Sequence, residues 1–368
     1  MSQKVVFGIV GGYGATGRVV VSELWKSRVG EVLIGGRDLA RGRDLAAEFD
    51  ARVSAAHLDV LDGRSLDDFC SRCSIVVNCA GPVMELQDRV AQAAVRRRCH
   101  YVDVAGLSFV KERMPQSREI ADLGLSFVIS AGWMPGISEL LPVYAYDQAK
   151  AKMDTIESLT VYFGDSGDWS DNALRDVVWY LHRSGIPRPT YFNKGERARA
   201  KMLQVSPRVD LGSRVGFCRF NLFCTPELNE IGSRFNDCDF RAYAYMPFRT
   251  AIAGVLVALL PLPERLGVRL LRNAFCRSPL PVGGFVVVRI LGRFQLQRLG
   301  MTVQIFYEKH RDYRINGLVP ATVARMISEG KGVQAGVHFL ADAVDPNAFV
   351  AGLRKSGVEQ AENLQRWD

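Results

Sequence analysis

With 368 residues, nearly half of them apolar, the chain is long enough for two folded domains and apolar enough to fill their cores. Its 47 basic and 39 acidic residues leave a net charge of +8, a modest excess that favours acidic partners; no basic run or motif of the nucleic-acid-binding kind is present, which sets that class aside. The longest uncharged apolar run, "TAIAGVLVALLPLP", is shorter than the roughly 20 residues that span a bilayer, and "MSQKVVFGIVGG" lacks the features of a signal peptide, so a cytoplasmic protein with no transmembrane segment is expected.

The chain opens with a buried parallel strand in "KVVFGIVG" and a helix in "ATGRVVVSELWKS", with Val20, Leu24 and Trp25 turned inward. Between them Gly12, Gly14 and Gly17 fit GxGxxG in the strand-turn-helix setting of a dinucleotide fingerprint. Gly12 permits the tight turn, Gly14 lets backbone amides reach a pyrophosphate, and Gly17 lets the helix sit against the strand. A second strand, "EVLIGG", ends where an acid would usually meet a free ribose, but the next residue is Arg37, with Arg41 and Arg43 close by. A guanidinium pairs with a 2′-phosphate, so NADPH is the expected cofactor; Asp38 is the competing ribose ligand.

The βα rhythm continues through "ARVSAAHLDVLD", "SIVVNCAGP", "CHYVDVAG" and "LSFVISAGWMPG". Ligands of an open parallel sheet gather at the strands' carboxyl ends, which places Asp59, Val60, Cys79, Ala80, Gly81, Pro82 and Asp103 along the cofactor cleft. Eight scattered cysteines, Cys70 and Cys73 among them, read as reduced thiols, and no metal site is expected. From about residue 155 the pattern changes to strands such as "SLTVYFG", "RVGFCRFNLF" and "FRAYAYMPF", the mark of a mixed or antiparallel sheet. "DSGDWSDNALRDVVWYLHRSG" joins a loop to a helix that Ser170 or Asp171 can cap, with Trp179 and Leu181 turned apolar. Residues 249–300 hold eight arginines against one acid, Glu264, and "PERLGVRLLRNAF" reads as an amphipathic helix with Arg265, Arg269 and Arg272 on one face and Leu266, Leu270 and Ala274 on another. Such a helix suits an acidic protein or an anionic membrane surface.

The stretches "GGYGATGR", "GGRD", "VVNCAGP", "HYVDVAG" and "AGWMPGISELLP", in that order, resemble the saccharopine dehydrogenase-like family of NAD(P)-dependent reductases, and "EGKGVQAGVHFLADAVDPNAFVAGLRKSG" is a weaker late echo. The resemblance covers most of the first 145 residues and the last 45. It implies an α/β chain: a Rossmann-type doubly wound parallel sheet (1–135), a second α+β domain with a mixed sheet (136–317), and a tail (318–368) returning to the first domain. It further implies that Gly12, Tyr13, Gly14, Ala15, Thr16 and Gly17 cradle the phosphates, that Arg37 reads the 2′-phosphate, and that Gly81 and Pro82 border the nicotinamide-side ribose. Trp133 and Met134 then belong to the crossover at the mouth of the site, with Asp165, Asp168, Trp169 and Asn172 on the substrate side, in a homodimer.

The cofactor dictates hydride transfer to or from a carbon bonded to nitrogen or oxygen, and the protein supplies orientation and a proton. Asp168, His182 and Tyr162 are the candidate donors. The expected reaction is reduction of an imine, in its favoured version a carrier-bound thiazoline of siderophore assembly, with an acidic carrier protein docking at 249–300. A free amino-acid-derived imine, bound through Arg175, Arg183 or Arg188, is the runner-up. Two other readings stay open: a short-chain dehydrogenase using Tyr146 and Lys150, with Ser130 or Ser138 upstream, and an NADPH-binding sensor without turnover.

Overall fold

A computed structural model describes residues 4–105, 117–166, 169–185, 188–201, 204–275, 280–309 and 312–367. The chain divides into two compact units, one of Met1–Ile137 with Tyr313–Gly357, the other of Ser138–Asp312 with Val358–Asp368.

In the first unit the six βα segments of the sequence supply β1 (Val6–Val10), β2 (Glu31–Gly36), β3 (Val53–His57), β4 (Ile75–Asn78), β5 (His100–Asp103) and β6 (Ser126–Ile129). A seventh strand, β16 (Gly336–Phe339), comes from the late echo and extends the edge beside β6. The order is β16-β6-β5-β4-β1-β2-β3, parallel throughout. Strands such as Phe7–Val10 and Ile75–Asn78 are buried along their whole length, as a parallel sheet covered on both faces requires. Chain order reverses between β1 and β4, so their carboxyl ends border the switch point where such sheets take up ligands. Val20 and Leu24 of the first helix are buried, whereas Trp25 is only half-buried at the rim, against Phe49 with ring centroids 5.2 Å apart.

The second unit carries a mixed sheet, ordered β17-β15-β14-β7-β13-β8-β9. Its central strand β7 (Thr155–Asp165) runs parallel to β13 (Asp239–Ala244) and antiparallel to β14 (Gly284–Phe294). β14 and β15 (Gln297–Tyr307) form a long hairpin, while β8 (Thr190–Asn193) and β9 (Glu196–Arg199) close the other edge. Two short strands, β11 (Phe217–Cys218), which pairs with β10 (Val209–Asp210), and β12 (Asn221–Leu222), replace the single strand expected from "RVGFCRFNLF". Three helices of this unit, Asp171–Ser184, Phe248–Leu259 and Glu264–Phe275, pack around Leu174, Val178, Ala253, Val257, Leu271 and Ala274. The buried stripe of the third helix runs Gly267, Leu271, Ala274, one step round from the expected face, and leaves Leu266 exposed.

The tail does not return to the first unit as a whole. Tyr313–Gly357 does, but β17 (Gln360–Arg366) pairs antiparallel with β15 in the second sheet, where Lys152 bonds Glu362.

Candidate functional site

The fingerprint turn is built by close backbone approach. Gly11 adopts a left-handed φ of 72° and its amide donates to the Gly35 carbonyl at 2.9 Å, tying the turn after β1 to the end of β2. A Cβ on Gly17 would lie 2.3 Å from the Gly11 oxygen and 2.6 Å from the Gly12 Cα, so only glycine lets the helix Ala15–Ser27 begin this close to the strand. Gly14 is the N-cap and brings no side-chain acceptor, and the first turn holds no acid. The leading amides, Ala15 and Thr16 among them, have no acceptor within the helix, and the positive end of its dipole stands uncompensated.

Tyr13 links this turn to the end of β2. The Asp38 amide donates to its hydroxyl at 3.1 Å, the Arg41 guanidinium sits 4.8 Å from its ring centroid, and the absence of a Gly36 side chain leaves room for the ring. Asp38 caps the helix Leu39–Ala46, accepting from the Arg41 amide at 3.1 Å. Arg37 and Arg41 are exposed. The residue that sequence alone leaves as the ribose competitor thus has a carboxylate oxygen engaged by its own helix.

At the carboxyl ends of β4 and β5 lies a buried polar network. Asn78 donates to Asp103 at 3.1 Å, Tyr101 donates to the same Asp103 oxygen, and the Ala105 amide donates to the other at 2.9 Å. The Asn78 side chain also accepts from the Ala80 amide at 3.2 Å. Burial raises the Asp103 carboxyl above its ordinary value against these three donors, and it pushes the Tyr101 phenol well up. At 3% exposure Asp103 shapes the two loops from beneath and does not lie open to a ligand. Asp59 is half-buried and accepts from the Leu61 amide at 2.9 Å, while Val60 lies in the core. Cys79, Ala80 and Gly81 are half-buried, Pro82 is buried behind a cis peptide bond, and burial pushes the Cys79 thiol up.

One residue of this unit escapes sequence reasoning. Asn316, from the helix Asp312–Ser328, donates to Thr16 Oγ1 at 3.2 Å and accepts from the Trp133 amide at 2.9 Å, joining the fingerprint to the turn 132–136. Gly317 beside it lets that helix approach Val19 and the Thr16 carbonyl. No signal in "RINGL" marks this pairing, because its partners lie 300 and 183 residues away. Trp133 is buried and Met134 is half-buried before a second cis proline.

The remaining candidates belong to the second unit. Tyr162 on β7 stacks on Tyr243, centroids 5.6 Å apart, near the Arg289 guanidinium, and burial raises its phenol. Asp165 ends β7 opposite Gly284. Trp169 stacks on Phe275 at 4.8 Å within the three-helix layer, Ser170 is the helix cap, and Asn172 is exposed on the first turn. His182 is exposed on the last turn; Asp168 lies outside the described residues. Tyr146, the acid of the short-chain reading, instead donates to Asp237 at 2.6 Å while Lys150 reaches the other Asp237 oxygen at 3.6 Å. Burial, helped by Asp237, raises the Tyr146 phenol.

Cys70, Cys73 and Cys99 form a packed group behind the first sheet, with the Cys99 thiol facing the Cys70 and Cys73 carbonyls at 3.2 Å. Burial pushes Cys70 up to about 12 and Cys99 to about 11, so these are unreactive thiols. Among the described residues no group of three or more His, Cys, Asp or Glu could hold a metal, and no helix is long and apolar enough to cross a membrane.

Residues 7–125 match the family model described as the saccharopine dehydrogenase NADP binding domain. A "lipid droplet localized protein" of Caenorhabditis elegans is 29% identical over 189 residues, 48% of this chain and 44% of that protein. The human "saccharopine dehydrogenase-like oxidoreductase" is 24% identical over 190 residues, 46% of this chain and 43% of the relative. The match thus spans less than half the length of either. Among solved structures, apo saccharopine dehydrogenase (L-Glu forming) from Saccharomyces cerevisiae superposes with a TM-score of 0.69 at 15% identity, covering 98% of this chain and 100% of that one, a likeness of fold. Residues 7–125, most of the sheet of the first unit, are thus similar to an NADP-binding domain of the saccharopine dehydrogenase type.

Proposed function

We propose that the chain is an NADPH-dependent oxidoreductase that reduces a carbon–nitrogen double bond, an imine. The observation carrying the NADPH reading is the end of β2, where Asp38 caps its own helix, the Arg41 guanidinium lies over the Tyr13 ring and Arg37 is exposed. A single charge-assisted hydrogen bond to a 2′-phosphate, at about 1.5–3 kcal/mol, corresponds to a preference over NADH of about ten- to a hundredfold. The residues present fit the cofactor: capless amides at Ala15 and Thr16 for the diphosphate, and guanidiniums for the extra phosphate. Bound there, the cofactor would supply a hydride; Gly12, Tyr13 and Gly14 would hold it, and the Asn78–Tyr101–Asp103 network would fix the loops bordering its ribose.

Imine reduction is the reading that the likeness to the saccharopine dehydrogenase NADP binding domain favours, since a nicotinamide hydride passes to a carbon bonded to nitrogen or oxygen. The narrower reading, a thiazoline on an acidic carrier protein, requires the exposed Arg249, Arg265 and Arg269 to face that carrier, an occupant the exposed apolar side chains of the same helices disfavour. The short-chain reading is disfavoured by the engagement of Tyr146 with Asp237. The test is loss of NADPH absorbance with a panel of cyclic imines, free and carrier-tethered thiazolines, and ketones. Decay with imines but not ketones supports the proposal. Binding without decay across the panel points to a sensor.

A further inference from the structure

The eight arginines of 249–300 do not form one patch. Arg293 and Arg298 both pair with Glu157, Arg289 bonds the Asp210 carbonyl, and Arg272 pairs with Asp171. Arg277 lies outside the described residues. Arg249, Arg265 and Arg269 remain, exposed on two helices packed side by side, Phe248–Leu259 and Glu264–Phe275.

The same two helices and the segment joining them also carry large apolar side chains that face solvent. Phe248 is 79% exposed, Ile252 43%, Leu256 39%, Leu259 72%, Leu260 45% and Leu266 50%. At about 100° per residue, Phe248, Ile252, Leu256 and Leu259 fall within roughly 80° of one another, opposite the buried stripe of Ala253 and Val257. The helix is therefore apolar on two faces, and its own unit covers only one. Arg249 is its only charged residue. At 12 residues it is about 18 Å long, too short to cross a bilayer but suited to lying in its interface.

We propose that this face seats on an anionic phospholipid surface, with the helix Phe248–Leu259 in the plane of the interface, its apolar row among the acyl chains and the three arginines against the headgroups. Charge decides between occupants. In a symmetric contact with a second copy the same patch would meet itself, bringing Arg249, Arg265 and Arg269 against their own duplicates. Two acids of the layer, Glu264 and Asp171, are already paired with Arg175 and Arg272. An acidic carrier protein would satisfy the arginines but would cover the apolar row only through an apolar patch of its own. An anionic lipid surface meets both features at once.

The test is flotation of the full chain with vesicles of phosphatidylcholine alone or with about 30 mol % phosphatidylserine. The wild type is expected to float with the phosphatidylserine vesicles, more weakly as salt rises. Phe248→Ser with Leu259→Ser, both at exposed positions, should lower partitioning by about tenfold or more, while Arg265→Gln with Arg269→Gln should weaken the salt dependence. Phe248→Trp keeps the apolar surface and should show a blue-shifted emission on the same vesicles, and an unchanged thermal midpoint certifies each fold. No flotation above the pure phosphatidylcholine level would overturn the proposal, as would flotation indifferent to both sets of substitutions. So would a dimer, or a complex with an acidic carrier protein, that the Phe248 and Leu259 changes dissolve while flotation persists.

Discussion

Gly17→Ala tests the closeness of helix and turn with a single methyl group. The added Cβ would sit 2.3 Å from the Gly11 carbonyl oxygen and 2.6 Å from the Gly12 Cα, both backbone atoms that cannot swing aside. Ordinary contact needs more than 3 Å, so the first turn of the helix must withdraw by about 1 Å. Overpacking of this kind costs about 1–3 kcal/mol of stability, and the withdrawal carries the amides of Ala15 and Thr16 away from the diphosphate. Losing one charge-assisted hydrogen bond of about 1.5–3 kcal/mol raises the Kd for NADPH ten- to hundredfold. Calorimetric titration with NADPH, beside a urea melt, reads both effects. A variant with the wild-type midpoint and a Kd unchanged within about twofold would refute the close-approach account of this glycine.

Asp103→Asn should destabilise the first unit by about 1–3 kcal/mol, because an amide replaces an acceptor faced by three donors. Since burial raises the folded-state carboxyl above its ordinary 3.8, the folded protein holds that proton more tightly than the unfolded chain. The resulting stabilisation is present at acid pH and fades as pH rises through the raised value, so urea midpoints of the wild type should fall across that window and those of the variant should not. Asn316→Ala removes the acceptor of the Trp133 amide and the donor to Thr16; a loss of about 1–3 kcal/mol and weaker NADPH binding by titration are expected. Tyr146→Phe should cost about 1 kcal/mol in a melt through its lost bond to Asp237 and leave NADPH oxidation unchanged, whereas loss of turnover would revive the short-chain reading.

The first unit was legible where local chemistry writes the structure. "GGYGATGR" carries its turn, its close approach and its capless helix within eight residues, and each βα segment ends in a strand where the apolar run stops. The second unit was less so. The hairpin β14–β15 is hard to read from sequence because "GFVVV" is buried on both faces with no alternation, and Arg293 and Arg298, which the sequence presents as free surface charge, reach across to Glu157. β17, "QAENLQR", holds few apolar residues and is a strand because β15 offers it an open edge. Within the candidate site, Asn316 and the Asn78–Asp103 bond depend on partners that only folding brings together. Asp103 stands at a strand end, as a ligand contact would, yet the fold turns its carboxylate inward.

The most direct measurement is a calorimetric titration of the purified chain with NADPH and NADH, repeated on Arg37→Ala with Arg41→Ala. The account predicts that NADPH binds at least about tenfold more tightly than NADH and that the double variant loses this difference while still binding NADH. Absence of heat with either coenzyme, or a wild-type preference for NADH, would contradict it.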